Sequence, residues 1–146
     1  MRYIFCGILV AGLLVSCNHL IQGNDLSAAD IKRIGALGIL DKDEQVIKFY
    51  SEYKKSYAGN FFTEKRIAMY WIDSRDSTKN VIKTAFYKDI KSMDTVYNAG
   101  LTYSPYILVT MNNGSSFKVS VGGGRKEFKL FYMDVLKSWK GNQRVL

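Results

Sequence analysis

The hydrophobic period of this 146-residue chain changes late, and only once in its second half. Between residues 46 and 121, apolar side chains recur mostly at every second position, the spacing of a strand with one buried face. After Gly122-Gly123-Gly124 the spacing becomes helical: Phe128, Phe131, Tyr132, Val135, Leu136 and Trp139 lie at offsets of 0, 3, 4, 7, 8 and 11. This is a full apolar stripe, and Lys126, Lys129 and Lys137 fall off it. Strands in meander order followed by one amphipathic helix leave few folds open. The strands form a curled antiparallel sheet or partly open barrel, and the stripe closes its open side. The expected class is α+β, mainly β, with about seven strands, a closing C-terminal helix and a short N-terminal helix.

In the first strand, from Val46, Ile47, Phe49 and Tyr53 fall on one face and Lys48, Glu52 and Lys54 on the other. Ala58-Gly59-Asn60 reads as a turn, residues 61–63 as a second strand broken by Glu64-Lys65, and residues 66–72 as a third with Ile67, Met69 and Trp71 on one face. Residues 73–79 are polar and loop-like. Residues 81–87 and 90–97 supply two more strands, with Gly100 and Pro105 marking a break. Residues 106–111 and 117–121 flank Asn112-Asn113-Gly114, a hairpin turn whose Asn-Gly step tolerates positive φ.

Upstream, Ser27 and Asp30 have capping-box spacing, Ile31, Ile34 and Leu37 repeat helically, and Gly38 is placed as a left-handed stop. Asp41-Lys42-Asp43-Glu44 lacks the further acidic positions, central Gly and terminal Glu of a calcium loop, so it reads as a solvated turn.

The N-terminus says where such a domain would stand. Arg2 precedes a short apolar run over residues 4–15, which is less than the roughly 20 residues a transmembrane helix needs. The run ends in Leu14-Val15-Ser16-Cys17, which resembles the lipobox of bacterial lipoproteins. The resemblance implies cleavage after Ser16, diacylglycerol and an N-acyl chain such as palmitate on Cys17, and no other cofactor. The domain organisation is then a signal peptide over 1–16, lipidated Cys and tether over 17–26, and a domain over 27–146. A flexible tether of that length spans about 15 to 20 Å, which keeps the domain near the bilayer. Asn18 after the lipidated cysteine implies outer rather than inner membrane delivery in a Gram-negative envelope. An ordinary signal peptide or an uncleaved anchor is the alternative.

Several chemistries fall away with that processing. Cys6 leaves with the signal and Cys17 carries lipid, so no thiol remains for a disulfide, a nucleophile or a metal site. His19, in the tether, is the only histidine, too few for a histidine metal site or a Ser-His-Asp triad. Asp73, Asp76 and Asp89 are the carboxylates available for an acid-base pair, and nothing in the sequence fixes their separation. The expectation is therefore a non-enzyme. Losing Arg2 leaves 20 basic against 13 acidic residues, a balance of +7. Export argues against nucleic acid, and a basic domain near a bilayer is drawn to anionic headgroups by about 1 kcal/mol per cation. Scattered lysines that only solubilise the chain are the alternative.

The order of elements also resembles the pleckstrin-homology-like superfamily, in particular bacterial PH-like and GRAM-type domains. The resemblance is carried by Gly59-Asn60-Phe61-Phe62-Thr63-Glu64-Lys65-Arg66-Ile67, by Phe86-Tyr87-Lys88-Asp89-Ile90-Lys91-Ser92 and by the closing stripe from Phe128 to Trp139. The whole also resembles small bacterial lipoproteins, which adds no activity. A PH-like domain implies a binding module whose basic first hairpin meets anionic lipid. Lys54 and Lys55 occupy that hairpin, Lys65 and Arg66 the next turn, and Arg125 and Lys126 open the last helix behind the three glycines. Tyr97, Tyr103 and Tyr106 gather around the 98–105 loop as a candidate protein contact. The function read from the sequence is a non-enzymatic, membrane-anchored binding or scaffold module for a protein partner or an anionic membrane surface. The alternatives are a small envelope enzyme or enzyme inhibitor, or a structural or exclusion lipoprotein.

Overall fold

The computed structural model describes residues 20–98 and 104–143. Cys6, Cys17, Asn18, His19 and Tyr103 lie outside the described residues, as do the signal segment and the first residues of the tether.

Two antiparallel sheets carry the fold. The first has five strands in sequence order: β1 (Ile21–Gln22), β2 (Val46–Tyr50), β3 (Ala58–Thr63), β4 (Arg66–Trp71) and β5 (Val81–Phe86). The second has three, β6 (Ile90–Val96), β7 (Tyr106–Met111) and β8 (Ser116–Ser120). The two sheets do not join into one closed barrel. Asn60 links them, its Oδ1 accepting from the Ser120 N–H at 3.0 Å. The C-terminal helix α2 (Arg125–Gln143) runs through Gly141 and buries Phe128, Phe131 and Val135. Phe131 meets Phe62 of β3 edge to face, with ring centres 5.0 Å apart. The Trp139 indole donates to Tyr87 O and the Tyr132 hydroxyl to Met93 O, each at 3.1 Å, which ties the stripe to the corner between the sheets and to β6.

The N-terminal helix α1 (Ala28–Ala36) forms as its sequence specifies. Ser27 and Asp30 make the reciprocal capping box, and Gly38 takes φ +74° just after the helix. α1 covers the outer face of the first sheet. Ile34, Ile39, Leu40 and Leu26 pack there against Phe49, Phe61, Ala68 and Tyr70, forming a second core on the side away from α2. Each such buried side chain contributes about 1.5–3 kcal/mol, so the N-terminal extension is a structural half of the domain.

This second cover changes several sequence readings. Ala58-Gly59-Asn60 is not a turn but the start of β3, a strand buried along its whole length. Gly59 is required there because a Cβ would come within 2.6 Å of the rings of both Tyr70 and Phe49. The chain reverses earlier, where Lys54 O accepts from the N–H groups of Tyr57 and Ala58. In β2, a register irregularity between Val46 and Lys48 sends Val46 to the outer core and leaves Ile47 exposed. Lys48 then turns inward, 8% exposed, to pair with Asp134 of α2. Tyr53, read as a buried strand position, lies beyond the strand and is exposed. The described part of the presumed tether is built into the fold. Ile21 pairs with Phe49 and Gln22 with Lys48, a short 3-10 turn follows, and Leu26 is buried.

Candidate functional site

Two grooves on the surface of the described residues stand out. One, of about 490 Å³, is lined by Gln22, Gly23, Asn24, Asp43, Gln45, Val46, Ile47 and Glu64, and no aromatic or basic side chain lines it. The other, of about 360 Å³, combines Tyr53, Tyr57 and Trp71 with Lys54, Arg75, Asp73, Ser74 and Ile72. The second is the candidate site, because it gathers large amphipathic rings and cations that reach solvent.

Local folding positions this groove. In the 51–57 loop the Ser51 hydroxyl donates to Ala58 O at 2.7 Å and the Tyr70 hydroxyl to Lys55 O at 2.5 Å, which holds the loop against the sheet end. Lys55 Nζ lies 3.0 Å from Asp30 Oδ2 of α1. The neighbouring 72–80 loop is tied to it by the Ile72 N–H donating to Tyr57 O at 2.7 Å. Asp73 Oδ1 accepts from the N–H groups of Arg75 and Asp76, and Asp76 Oδ1 from the N–H of Thr78. These carboxylates shape the loop, and Thr78 holds Asp76 below the usual carboxylate range. Tyr53 then stands 6.0 Å from Tyr57 and 6.4 Å from Trp71, ring centre to ring centre, and Lys54 Nζ lies 6.0 Å from the Tyr53 ring. Tyr53 is 56% exposed, Trp71 41% and Val81, directly across β4–β5 from Trp71, 40%.

The basic residues picked from sequence do not converge. Lys54 lines the groove, and Lys55 is occupied by Asp30. Lys65 and Arg66 sit at the opposite end of β3 and β4, about 20 Å away along six-residue strands. Lys65 pairs with Asp43 at 3.1 Å. Arg66, 3% exposed, donates from Nε to Glu44 Oε1 at 2.9 Å and from Nη2 to Asp41 Oδ2 at 2.5 Å, with its guanidinium 4.2 Å from the centre of the Phe86 ring. Thr63 Oγ1 also donates to Glu44. The Asp41–Glu44 segment is a turn with its first three residues exposed, as read from the sequence, but its last residue is buried. It places Glu44 inside, as the partner that lets Arg66 be buried.

Arg125 lies 6.0 Å from the Tyr97 ring and Lys126 is exposed in the first turn of α2. Tyr97 packs edge to face on Phe128 with centres 4.9 Å apart, and Tyr106 sits under Lys118 at 4.6 Å. Asp89 lies in the turn between the sheets and its backbone O accepts from the Asn112 N–H. Sequence reasoning missed Tyr53, Tyr57, Trp71 and Arg75 as a group. The available signal was Trp71 as the last residue of a strand that runs directly into a polar loop.

By sequence the chain matches no protein-family description and no curated protein. By structure it is similar to a DUF1696 family protein with a pleckstrin-homology domain from Shewanella loihica, at a TM-score of 0.53 and 12% identity, over 84% of this chain and 93% of that one. The chain has the PH-like fold: two antiparallel sheets of five and three strands with a helix packed across them, carrying an N-terminal strand and helix on the outer face of the first sheet.

Proposed function

We propose that this chain is a lipid-anchored, non-enzymatic binding module of the bacterial envelope. Cys17 carries diacylglycerol and an N-acyl chain, with no further cofactor or metal, and the PH-like domain presents the groove at loops 51–57 and 72–75 to a protein partner or to the membrane. The observation that carries this reading is the joining of two features in one chain. A PH-like domain, a fold suited to binding and scaffolding, follows a lipobox cysteine, and the first strand of its N-terminal extension begins at Ile21, four residues after that cysteine. Asn18 at the position after that cysteine favours the outer membrane in a Gram-negative host.

Metabolic labelling with radioactive palmitate tests the anchor. The native chain takes up label and fractionates with membranes, whereas the Cys17→Ser chain takes up none and is released on cell lysis. An unlabelled native chain would overturn the reading. In-cell crosslinking from position 53 then separates the two kinds of partner, giving a discrete protein adduct in one case and lipid alone in the other.

A further inference from the structure

We infer that the Tyr53–Tyr57–Trp71 groove is a membrane-interface contact, which lies on the same bilayer that holds Cys17 and orients the whole domain. The inference rests on the lipid-anchor reading and adds the surface, the orientation and the kind of interaction. β1 runs antiparallel to β2 with Ile21 opposite Phe49, so Leu20 is level with Tyr50. Going back towards Cys17, the chain leaves the sheet past the end of β2, the end at which the 51–57 loop begins. Three residues separate Cys17 from Ile21, so the four steps between them reach about 14 Å at most. Trp71 lies on β4, three strands from β1, about 14 Å across the same sheet end. The end carrying Arg66 and Glu64 lies a strand length farther away. A chain held so closely turns this end of the first sheet, with its groove, towards the lipid.

The chemistry at that end fits an interface between water and hydrocarbon. Trp and Tyr settle at the headgroup level because each joins an apolar ring to a polar edge. Val81 widens the apolar surface beside Trp71, and Lys54 and Arg75 flank it with cations whose stems can lie along the lipid while their charges reach phosphate. Of the other candidate cations, Lys55, Lys65 and Arg66 are paired within the fold, and the groove itself holds three rings beside the two cations, so the contact is predominantly aromatic. It discriminates little among headgroups and depends little on salt.

The test is tryptophan quenching in the full acylated chain, reconstituted into phosphatidylcholine vesicles whose acyl chains carry bromine near the headgroup. The chain holds two tryptophans, Trp71 and Trp139. The Trp139→Phe chain should lose Trp71 emission to the bromines and shift it to the blue, with the loss unchanged at high salt. The Trp71→Phe chain should show no quenching, which keeps the result readable if removing Trp139 loosens α2. An acylated, vesicle-bound chain whose Trp71 is neither quenched nor shifted overturns the inference and leaves the anchor standing. Quenching confined to anionic vesicles and reversed by salt overturns it in favour of a charge-driven contact. A chain that is not acylated removes the anchor reading and this one with it.

Discussion

At one end of strands β3 and β4, Arg66 is buried between Glu44, Asp41 and the Phe86 ring. At the other end, Lys54 and Arg75 stand among exposed aromatic rings. The residue types are alike and their fates are opposite. The difference comes from which part of the chain passes over each end. The link from α1 to β2 crosses the first end and brings three carboxylates with it, Asp41 and Glu44 for Arg66 and Asp43 for Lys65. Among the described residues the second end is formed by the two loops, and the cation there that receives a partner from outside them is Lys55, from Asp30 of α1. The N-terminal extension therefore does more than cover a sheet face. It consumes the basic residues nearest to it and leaves the aromatic end as the surface available for contact.

The largest expected effect breaks the buried end. Arg66→Ala strands Glu44 without its cation in a site from which water is largely excluded, and loss of one partner of a buried pair costs about 3–5 kcal/mol. Guanidinium unfolding of the single variant measures this. The Glu44→Leu, Arg66→Met double variant should recover most of the loss, because both charges leave together. If Arg66→Ala cost no more than Lys54→Ala, the two ends would not differ as described.

Next is the cover itself. Ile34, 1% exposed, anchors α1 onto the outer face, so Ile34→Ala should cost about 2–5 kcal/mol. Tryptophan fluorescence and far-ultraviolet circular dichroism should give one coincident transition. Two separate transitions would mean that α1 docks on a domain already stable without it.

A smaller effect probes the join between the extension and the groove end. Burial works against the Asp30 carboxylate, but hydrogen bonds from Ser27 and the Lys55 ammonium prevail and hold it below its ordinary value of 3.8. A group with a depressed folded value stabilises the fold above its unfolded value and loses that contribution as pH falls through the folded one. Asp30→Ala should therefore cost about 1 kcal/mol at neutral pH, the worth of a helix cap. The gap between native and variant should close in acid. A gap that is independent of pH would assign the effect to packing alone.

How much of this was legible in the sequence depended on how many faces of an element are covered. α2 has one buried face, so the stripe from Phe128 to Trp139 could be read directly, and the Ser27–Asp30 box and Gly38 are local devices that need no partner. Asn112-Asn113-Gly114 gave its turn for the same reason, with Gly114 alone taking positive φ. β2 and β3 could not be read this way. A strand covered on both sides has no polar face, so the alternation that located them misplaced Ile47 and Lys48 and turned Gly59 into a loop residue. Arg66 and Glu44 are 22 positions apart, and nothing local announces that they share a buried site. The groove was hidden for a related reason. Trp71 follows Ile67 and Met69 in the alternation, and only the ending of the sheet exposes it.

The smallest effect on stability should accompany the largest effect on contact. Tyr53→Ser and Trp71→Ser together remove two half-exposed rings from the end of a sheet that both cores hold in place, so unfolding should move by only about 1 kcal/mol. The same double variant should abolish the salt-resistant part of vesicle contact. Lys54→Ala with Arg75→Ala should reduce only the part that salt already screens. The two pairs occupy one groove, so equal effects from both would show that the cations direct the contact and the rings merely fill it. A loss confined to the ring variant, with acylation and unfolding unchanged, would assign the work of this end to its aromatic surface.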